Sequence, residues 1–174
     1  MVQCNANKLP FEENIQLVAL FDVLEHLPND VQILDNIQKI LADQGLIFIT
    51  VPANPALWSY FDEASCHFRR YTYHELKMKL QQTGYEVKYI SYYFSSLYPF
   101  IWLVRRFSSL WKKARKNDGP IPTKELTMDE FRIIPGINRL LTWWLSLEAS
   151  LTSRWIALPF GPSLIAIAKK ETPK

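Results

Sequence analysis

The sequence is poor in glycine. Its 174 residues include five glycines, scattered along the chain at Gly45, Gly84, Gly119, Gly136 and Gly161. A glycine-rich loop lets the backbone approach a bound nucleotide closely, because no Cβ stands in the way. The glycines of this chain are too scattered to form such a loop.

Cysteine is also scarce, and the spacing of the two cysteines argues against a CxxC metal or redox protein and against a disulfide-stabilised one. Cys4 and Cys66 form neither a CxxC metal or redox pair nor a disulfide framework. We therefore expect reduced thiols in a cytoplasmic protein. The N-terminus has no basic region followed by an apolar one, so we predict no signal peptide.

Long apolar runs are missing as well. The most lipid-like stretch, residues 90–104, contains serines and Pro99 and is shorter than the roughly 20 apolar residues that cross a bilayer. We predict no transmembrane segment. The lack of a G-x-S-x-G motif argues against an α/β-hydrolase, and the net charge of +3 is too small to indicate nucleic-acid binding.

Two short apolar runs indicate strands that are buried on both faces of a parallel sheet. Residues 17–21 form the first run, and residues 46–51 form the second, which Pro52 ends. Between them a helical stripe consists of Val31, Leu34, Ile37 and Leu41. Gly45 is placed to end this helical region. The order predicts a βαβ unit with a right-handed crossover.

Further elements follow this unit. Thr72 and Glu75 fit a capping box at the start of a helix, and Gly84 falls just past its end. Residues 85–89 alternate apolar and polar side chains, which predicts a strand with one solvated face. Residues 163–168 predict a final apolar strand.

The segment between the last two predicted strands, residues of about 95–158, is a helical insertion rich in aromatic and basic side chains. Helical stripes run from Phe100 to Trp111 and from Ile137 to Trp155. Six basic residues lie close together at Arg105, Arg106, Lys112, Lys113, Arg115 and Lys116. The first helix is interpreted either as a peripheral contact with an anionic membrane or as a lid over a substrate pocket.

Several stretches, taken in order, resemble the type 11 group of class I S-adenosylmethionine-dependent methyltransferases. The sequence NANKLPF at residues 5–11 is similar to the segment after that family's third strand. FDVLEHL at residues 21–27 is similar to the end of its fourth strand, and residues 45–52 to its fifth. Residues 67–72 and 159–169 also look like later family segments.

The resemblance implies an α/β fold, a partial Rossmann-like, doubly wound and mostly parallel sheet with a final antiparallel strand. Residues 1–174 would form a single truncated methyltransferase domain. S-adenosylmethionine would lie across the carboxyl ends of the strands, with Asn5 and Ala6 bordering the adenine and Phe21 approaching through its backbone. The family's glycine-rich loop would precede residue 1, so we expect the chain to hold part of the cofactor site.

Three residues near position 25 are candidate ligands for a metal ion. The spacing of Asp22, Glu25 and His26 places them on one side of a helical turn. Carboxylate and imidazole groups together bind divalent cations, and some relatives have a similar site. The alternative is that these residues cap the following helix and shape the rim of a pocket.

Two histidines are candidate catalytic residues, His67 and His26. Imidazole titrates near neutral pH, which suits removal of a proton from a hydroxyl acceptor. Asp62 and Cys66 lie close to His67 in the sequence. The alternative is that His67 holds a loop by hydrogen bonds.

The resulting prediction is methyl transfer from S-adenosylmethionine to a small-molecule or lipid-like acceptor in the intact parent protein. The alternative is a non-catalytic remnant or an interaction module with the same fold. We predict no nucleic-acid partner. In the family's strand order, residues 17–21 pair with a strand that this chain lacks, so we expect self-association through an exposed sheet edge.

Overall fold

The structure, a computed structural model, describes residues 5, 9–11, 14–103 and 135–171. These residues form a four-stranded sheet in the order β1-β2-β4-β3. The strands are β1 Ile15–Phe21, β2 Leu41–Pro52, β3 Tyr85–Tyr93 and β4 Ser163–Lys170. β1 is parallel to β2, whereas β4 is antiparallel to both β2 and β3. The predicted α/β fold with a final antiparallel strand is confirmed.

Helices connect the strands and precede the last one. The longer ones are α1 Asp30–Ile40, α2 Tyr60–Ala64, α3 Tyr73–Gln82 and α4 Pro135–Ser153. Short 3-10 turns occupy Leu24–His26, Pro55–Leu57 and Ser95–Leu97, and residues 98–103 are helical. Among the helices in the described ranges, none is long and apolar enough to cross a bilayer.

The hydrophobic core lies on one face of the sheet. There the β2 side chains Ile47 and Ile49 pack with Ile37 of α1 and with Leu76 and Leu80 of α3. All five are at most 4% exposed. Burial of each such side chain contributes about 1.5 to 3 kcal/mol, so this layer holds α1 and α3 against the strands.

The second face of the sheet is more open. Because paired residues in a parallel sheet share a face, the register of β1 with β2 puts Leu17, Ala19 and Phe21 on the side opposite the core. Leu17 is 54% exposed and Phe21 62%. α4 packs over the β3 side of this face. β1 lies at the edge of the sheet that the described residues form.

The boundary between α1 and β2 differs from the prediction. Leu41 was expected on the helix and Gly45 at its end, but α1 ends at Ile40 and Leu41 already pairs with Ile15. Leu41 follows Ile37 by one helical turn and is buried, so its spacing imitates a helical stripe. Gly45 lies within β2, where a Cβ would come within 2.9 Å of the Ala42 carbonyl oxygen.

The predictions for the later elements agree more closely with the structure. The Thr72 hydroxyl accepts a hydrogen bond from the Glu75 amide at the start of α3, although the Glu75 carboxylate pairs with Lys79 at 3.1 Å. Gly84 follows the helix with φ +76°. Of the predicted insertion, residues 98–103 and α4 are helical. The basic stretch 105–116 lies outside the described residues.

Candidate functional site at the carboxyl edge

The chain turns sharply where β1 ends. Asp22 has a φ of +51°, a conformation that aspartate tolerates better than most residues. Its backbone amide donates to the carbonyl oxygen and to the hydroxyl of Thr50, each at 3.1 Å. The Thr50 hydroxyl in turn lies 3.1 Å from the Asp22 carboxylate. These bonds hold the carboxyl end of β1 against β2. The turn that follows therefore begins at the carboxyl edge of the sheet.

That turn, Leu24–His26, buries a carboxylic acid. Glu25 is fully buried, and neither of its carboxylate oxygens has a hydrogen-bond partner within the part of the chain that the structure describes. Burial is the largest cause that raises the pKa of Glu25, to about 7, and the charge of Asp22 adds to it. Buried carboxylates are normally paired, so this group is suited to bind a cation or to exchange a proton.

Two histidines meet beside Glu25. The rings of His26 and His67 pack edge to face, with 4.7 Å between their centroids. His26 Nε2 lies 4.0 Å from Glu25 Oε1. The three residues each offer one ligand atom within 4.8 Å of the other two. This group, Glu25, His26 and His67, is called the carboxyl-edge cluster below.

His67 is oriented by a buried ion pair. Its Nδ1 lies 3.1 Å from the Asp62 carboxylate, which also accepts a 2.7 Å bond from Arg70 Nε. Burial alone would raise the pKa of Asp62, but the hydrogen bond and charge of Arg70 lower it below its ordinary value. Asp62 is therefore ionised and favours the proton on Nδ1 of His67. The Nε2 atom is then left as an acceptor.

The sequence positions Asp62 through a helix cap. Ser59 and Asp62 form a capping box at the start of α2, in which the Asp62 carboxylate accepts the Ser59 amide at 2.9 Å. Arg70 also donates to the Ala53 carbonyl oxygen at 3.0 Å, directly after β2. The S-x-x-D pattern is the signal that could have assigned Asp62 a fixed place.

A second buried network supports the turn from below. Asp30, at the start of α1, accepts hydrogen bonds from the Tyr71 hydroxyl at 2.8 Å and from Lys79 Nζ at 2.5 Å. Arg69 lies 2.9 Å from the same carboxylate. Burial opposes ionisation of Asp30, yet Lys79 and Tyr71 lower its pKa below the ordinary value. The network ties α1, α3 and the loop that carries His67 into one unit.

Comparison with known proteins shows to which family the chain belongs. Residues 2–90 match the family model described as a methyltransferase domain. The chain belongs to this methyltransferase family. The resemblance to class I S-adenosylmethionine-dependent methyltransferases is thereby confirmed. A search of curated protein sequences finds no significant match.

Solved structures agree on the fold of this methyltransferase domain. A candidate methyltransferase from Bacillus halodurans has a TM-score of 0.54 at 14% identity, over 99% of this chain and 78% of that one. A complex between the Haloferax volcanii Trm112 methyltransferase activator and a candidate methyltransferase has a TM-score of 0.53 at 14% identity, over 98% and 60%. A candidate sarcosine dimethylglycine methyltransferase from Galdieria sulphuraria has a TM-score of 0.53 at 13% identity, over 97% and 58%. The chain thus spans about 60% of the length of the last two proteins.

The methyltransferase domain brings together some of the predicted site residues. Of the predicted metal set Asp22, Glu25 and His26, the last two lie beside His67, whereas the Asp22 carboxylate is bonded to Thr50. The spacing argument missed this because Asp22 leaves the helical turn through its positive φ.

The predicted cofactor residues are less fully described. Phe21 ends β1 at the carboxyl edge, and its side chain is 62% exposed. Asn5 is exposed. Ala6 lies outside the described residues.

A cavity of about 510 Å³ lies between α4 and the second face of the sheet. Its lining is mainly apolar and includes Phe48, Tyr89, Tyr93, Leu145, Trp155 and Ile167. Tyr93 connects it with the carboxyl edge, because its phenol interacts with the side chains of Thr50 and Ser163. Burial, and then the charge of Asp22, raise the pKa of Tyr93 above its ordinary value. Sequence patterns did not reveal this cavity, which needs α4 to cross strands distant in the chain.

Proposed function

We propose that this methyltransferase domain takes part in methyl transfer from S-adenosylmethionine to an apolar small-molecule or lipid-like acceptor. The carboxyl-edge cluster carries the proposal. It follows β1 and β2 at their carboxyl ends, where open α/β sheets bind their ligands. Family membership supports the reaction class.

The cofactor would be held partly by the end of β1. S-adenosylmethionine supplies an electrophilic methyl group when it is bound. Phe21 offers the exposed aromatic side chain and the backbone that suit a nucleoside, and Asp22 adds a carboxylate beside it. Asn5 and Ala6 remain the residues predicted to border the adenine.

His67 would remove the proton from a hydroxyl or amine acceptor. Because Asp62 favours the proton on Nδ1, the lone pair of Nε2 is free to take a proton. It would remove the proton from the hydroxyl or amine group of the substrate as that group gains the methyl group. His26 contacts the His67 ring, and its side chain is 40% exposed. It is therefore suited to pass that proton on to solvent.

Binding of a divalent cation is the alternative role that we propose for this cluster, because a His67 Nε2 atom that ligates an ion cannot at the same time accept a proton. Ligand atoms lie about 2.0 to 2.5 Å from Zn²⁺, Mg²⁺ or Ca²⁺, so atoms within 4.8 Å of one another can share one ion after small movements. Among the described residues the Glu25 oxygens accept no hydrogen bond, which favours this role. The ligands would be Glu25, His26 and His67, whereas Asp22, the third ligand predicted from the sequence, has its carboxylate bonded to Thr50.

The cavity supports the apolar class of acceptor. Its aromatic and aliphatic lining suits a hydrocarbon or ring system. Tyr93, at the end nearest Thr50 and Asp22, would contact the part of the acceptor that carries the polar group. We therefore propose that the apolar body lies under α4 and that the reacting atom lies towards the carboxyl edge.

Transfer of an isotopically labelled methyl group tests the proposal. The chain is incubated with labelled S-adenosylmethionine and a panel of long-chain phenols, fatty acids and fatty amines. We expect His67→Gln to lower the rate roughly 100-fold or more, since a lost general base typically costs that much. His74→Gln, an exposed histidine on α3, is the matched control and should keep the rate. A folded chain that binds S-adenosylmethionine but yields no labelled product would favour the non-catalytic interaction module.

A further inference from the structure

The side of α4 that faces away from the cavity is apolar. Leu145, Glu148, Ala149 and Thr152 line the cavity and define the inner side of the helix. Helical spacing places Leu140, Trp143, Trp144, Leu147 and Leu151 on the opposite side. These five side chains are between 42% and 64% exposed. We call them the outer stripe of α4.

The charged residues beside the outer stripe are basic. Arg154 follows α4 on the outer side, and Arg139 flanks the stripe near the other end; both are exposed. The one acidic residue in the sequence of α4 is Glu148, which points inward. Its carboxylate accepts bonds from the amides of Ser95 at 2.9 Å and Ser96 at 3.1 Å. The outer side of α4 therefore combines tryptophan and leucine with arginine and no carboxylate.

This combination identifies the partner by its chemistry. Tryptophan is enriched at the interface between hydrocarbon and water, where its ring is buried and its N–H remains hydrated. Arginines beside such a stripe attract anionic lipid headgroups. A protein partner of ordinary composition would instead be expected to present acidic side chains to the two arginines.

We propose that α4 docks its outer stripe on an anionic membrane surface and lies in the plane of the interface. The helix is not apolar enough to span a bilayer, which fits a surface orientation. The inner side of α4 roofs the apolar cavity, so the helix would separate that cavity from the lipid. Docking does not depend on methyl transfer and is measured without it.

Co-sedimentation with vesicles tests the docking. We expect the full chain to bind phosphatidylcholine vesicles that contain phosphatidylserine, to bind pure phosphatidylcholine vesicles weakly, and to be released by high salt. The combined change Arg139→Gln and Arg154→Gln should weaken binding roughly 30-fold, since each basic residue near an anionic surface contributes roughly a factor of five in affinity. Lys39→Gln, an exposed cation on α1, is the matched control and should bind like the wild type.

Removal of the indoles tests the apolar part. We expect Trp143→Ser with Trp144→Ser to weaken partitioning at least roughly tenfold and to abolish the blue shift of tryptophan fluorescence on vesicles. Trp58→Ser removes an exposed indole outside α4 and should leave both unchanged. Circular dichroism melting checks that the variants stay folded. If the double variant unfolds, Trp143→Ser alone replaces it.

Three results would overturn the proposal. The first is the absence of binding to anionic vesicles at low salt. The second is a loss of vesicle binding in the Trp58→Ser control equal to that in the α4 variant. The third is a concentration-dependent dimer in light scattering that Trp143→Ser dissociates, with no vesicle binding, and it would assign the outer stripe to another copy of the chain.

Discussion

Glu25 is a carboxylic acid whose buried environment differs strongly from water. Burial raises the pKa of its carboxyl group to about 7 in the folded chain, from an ordinary value of 4.5. Between these two values the unfolded chain ionises Glu25 while the folded chain keeps it protonated. The free energy of unfolding therefore falls as the pH rises through this window.

Glu25→Gln should remove this loss of stability. We expect the variant to be more stable than the wild type above pH 7, by on the order of 3 kcal/mol, and similar to it below pH 4.5. Urea unfolding over the pH range measures the difference. The pKa values of Asp30 and Asp62 are lowered below their ordinary value by Lys79 and Arg70 respectively, so their contributions to stability change at more acidic pH than this window. Glu63→Gln, an exposed neighbour, is the control; a difference that does not vary with pH would contradict the prediction.

A cation at the carboxyl-edge cluster makes a different prediction. Mg²⁺ or Zn²⁺ should raise the melting temperature, because a ligand of the folded state stabilises it. Glu25→Gln and His67→Gln should each abolish the rise. Asp22→Asn should keep it, since the Asp22 carboxylate bonds to Thr50 in the structure. Loss of the effect in Asp22→Asn but not in His67→Gln would restore the set predicted from sequence spacing.

At the scale of elements, Asp30 joins α1 to α3. Tyr71→Phe deletes one of the hydrogen bonds to its carboxylate while Lys79 and Arg69 remain. We expect a loss of about 1.5 to 3 kcal/mol in the free energy of unfolding, the usual range for a hydrogen bond to a charged group. Chemical denaturation measures it. Tyr73→Phe, two residues away and exposed, should have little effect; an equal loss there would show that the hydrogen bond to Asp30 is not the cause.

Local patterns predicted most of these elements. The apolar runs of β1 and β2, the Thr72 cap and Gly84 after α3 each depend on neighbours within a few residues, so the sequence alone is informative. The start of β2 was missed because Leu41 continues the spacing of α1 while its backbone is extended. A buried position satisfies both patterns, and the pairing with Ile15 decides between them.

The candidate site was predicted less completely for a physical reason. Glu25 and His67 follow different strands, and their meeting depends on how the sheet is assembled. The sequence indicated both as functional residues, but no sequence pattern shows that Glu25 accepts no hydrogen bond from the described residues or that Asp62 orients His67. Burial and long-range hydrogen bonds determine those properties, and neither has a local pattern.

At the scale of the whole molecule, the open edge of the sheet remains a predicted self-association site. Leu17 and Phe21 are more than half exposed, and β1 ends the described sheet. Such an edge templates pairing with another chain. Leu17→Lys should lower the apparent mass in light scattering of the purified protein, and Met78→Lys on α3 should not. A monodisperse wild-type monomer would contradict the prediction.

The irregular start of β2 has a consequence for how the chain can change in length. Residues 42–45 stand opposite the single residue Gln16, after which the pairing from Leu17↔Leu46 to Phe21↔Thr50 is unbroken. Extra residues between the exposed Asp43 and Gln44 would therefore bulge outward at the amino end of the sheet without shifting the register at Asp22. This position suits insertion of a reporter peptide. Natural variation in length can also accumulate there, while Asp22 and the carboxyl-edge cluster at the opposite end of the sheet keep their arrangement.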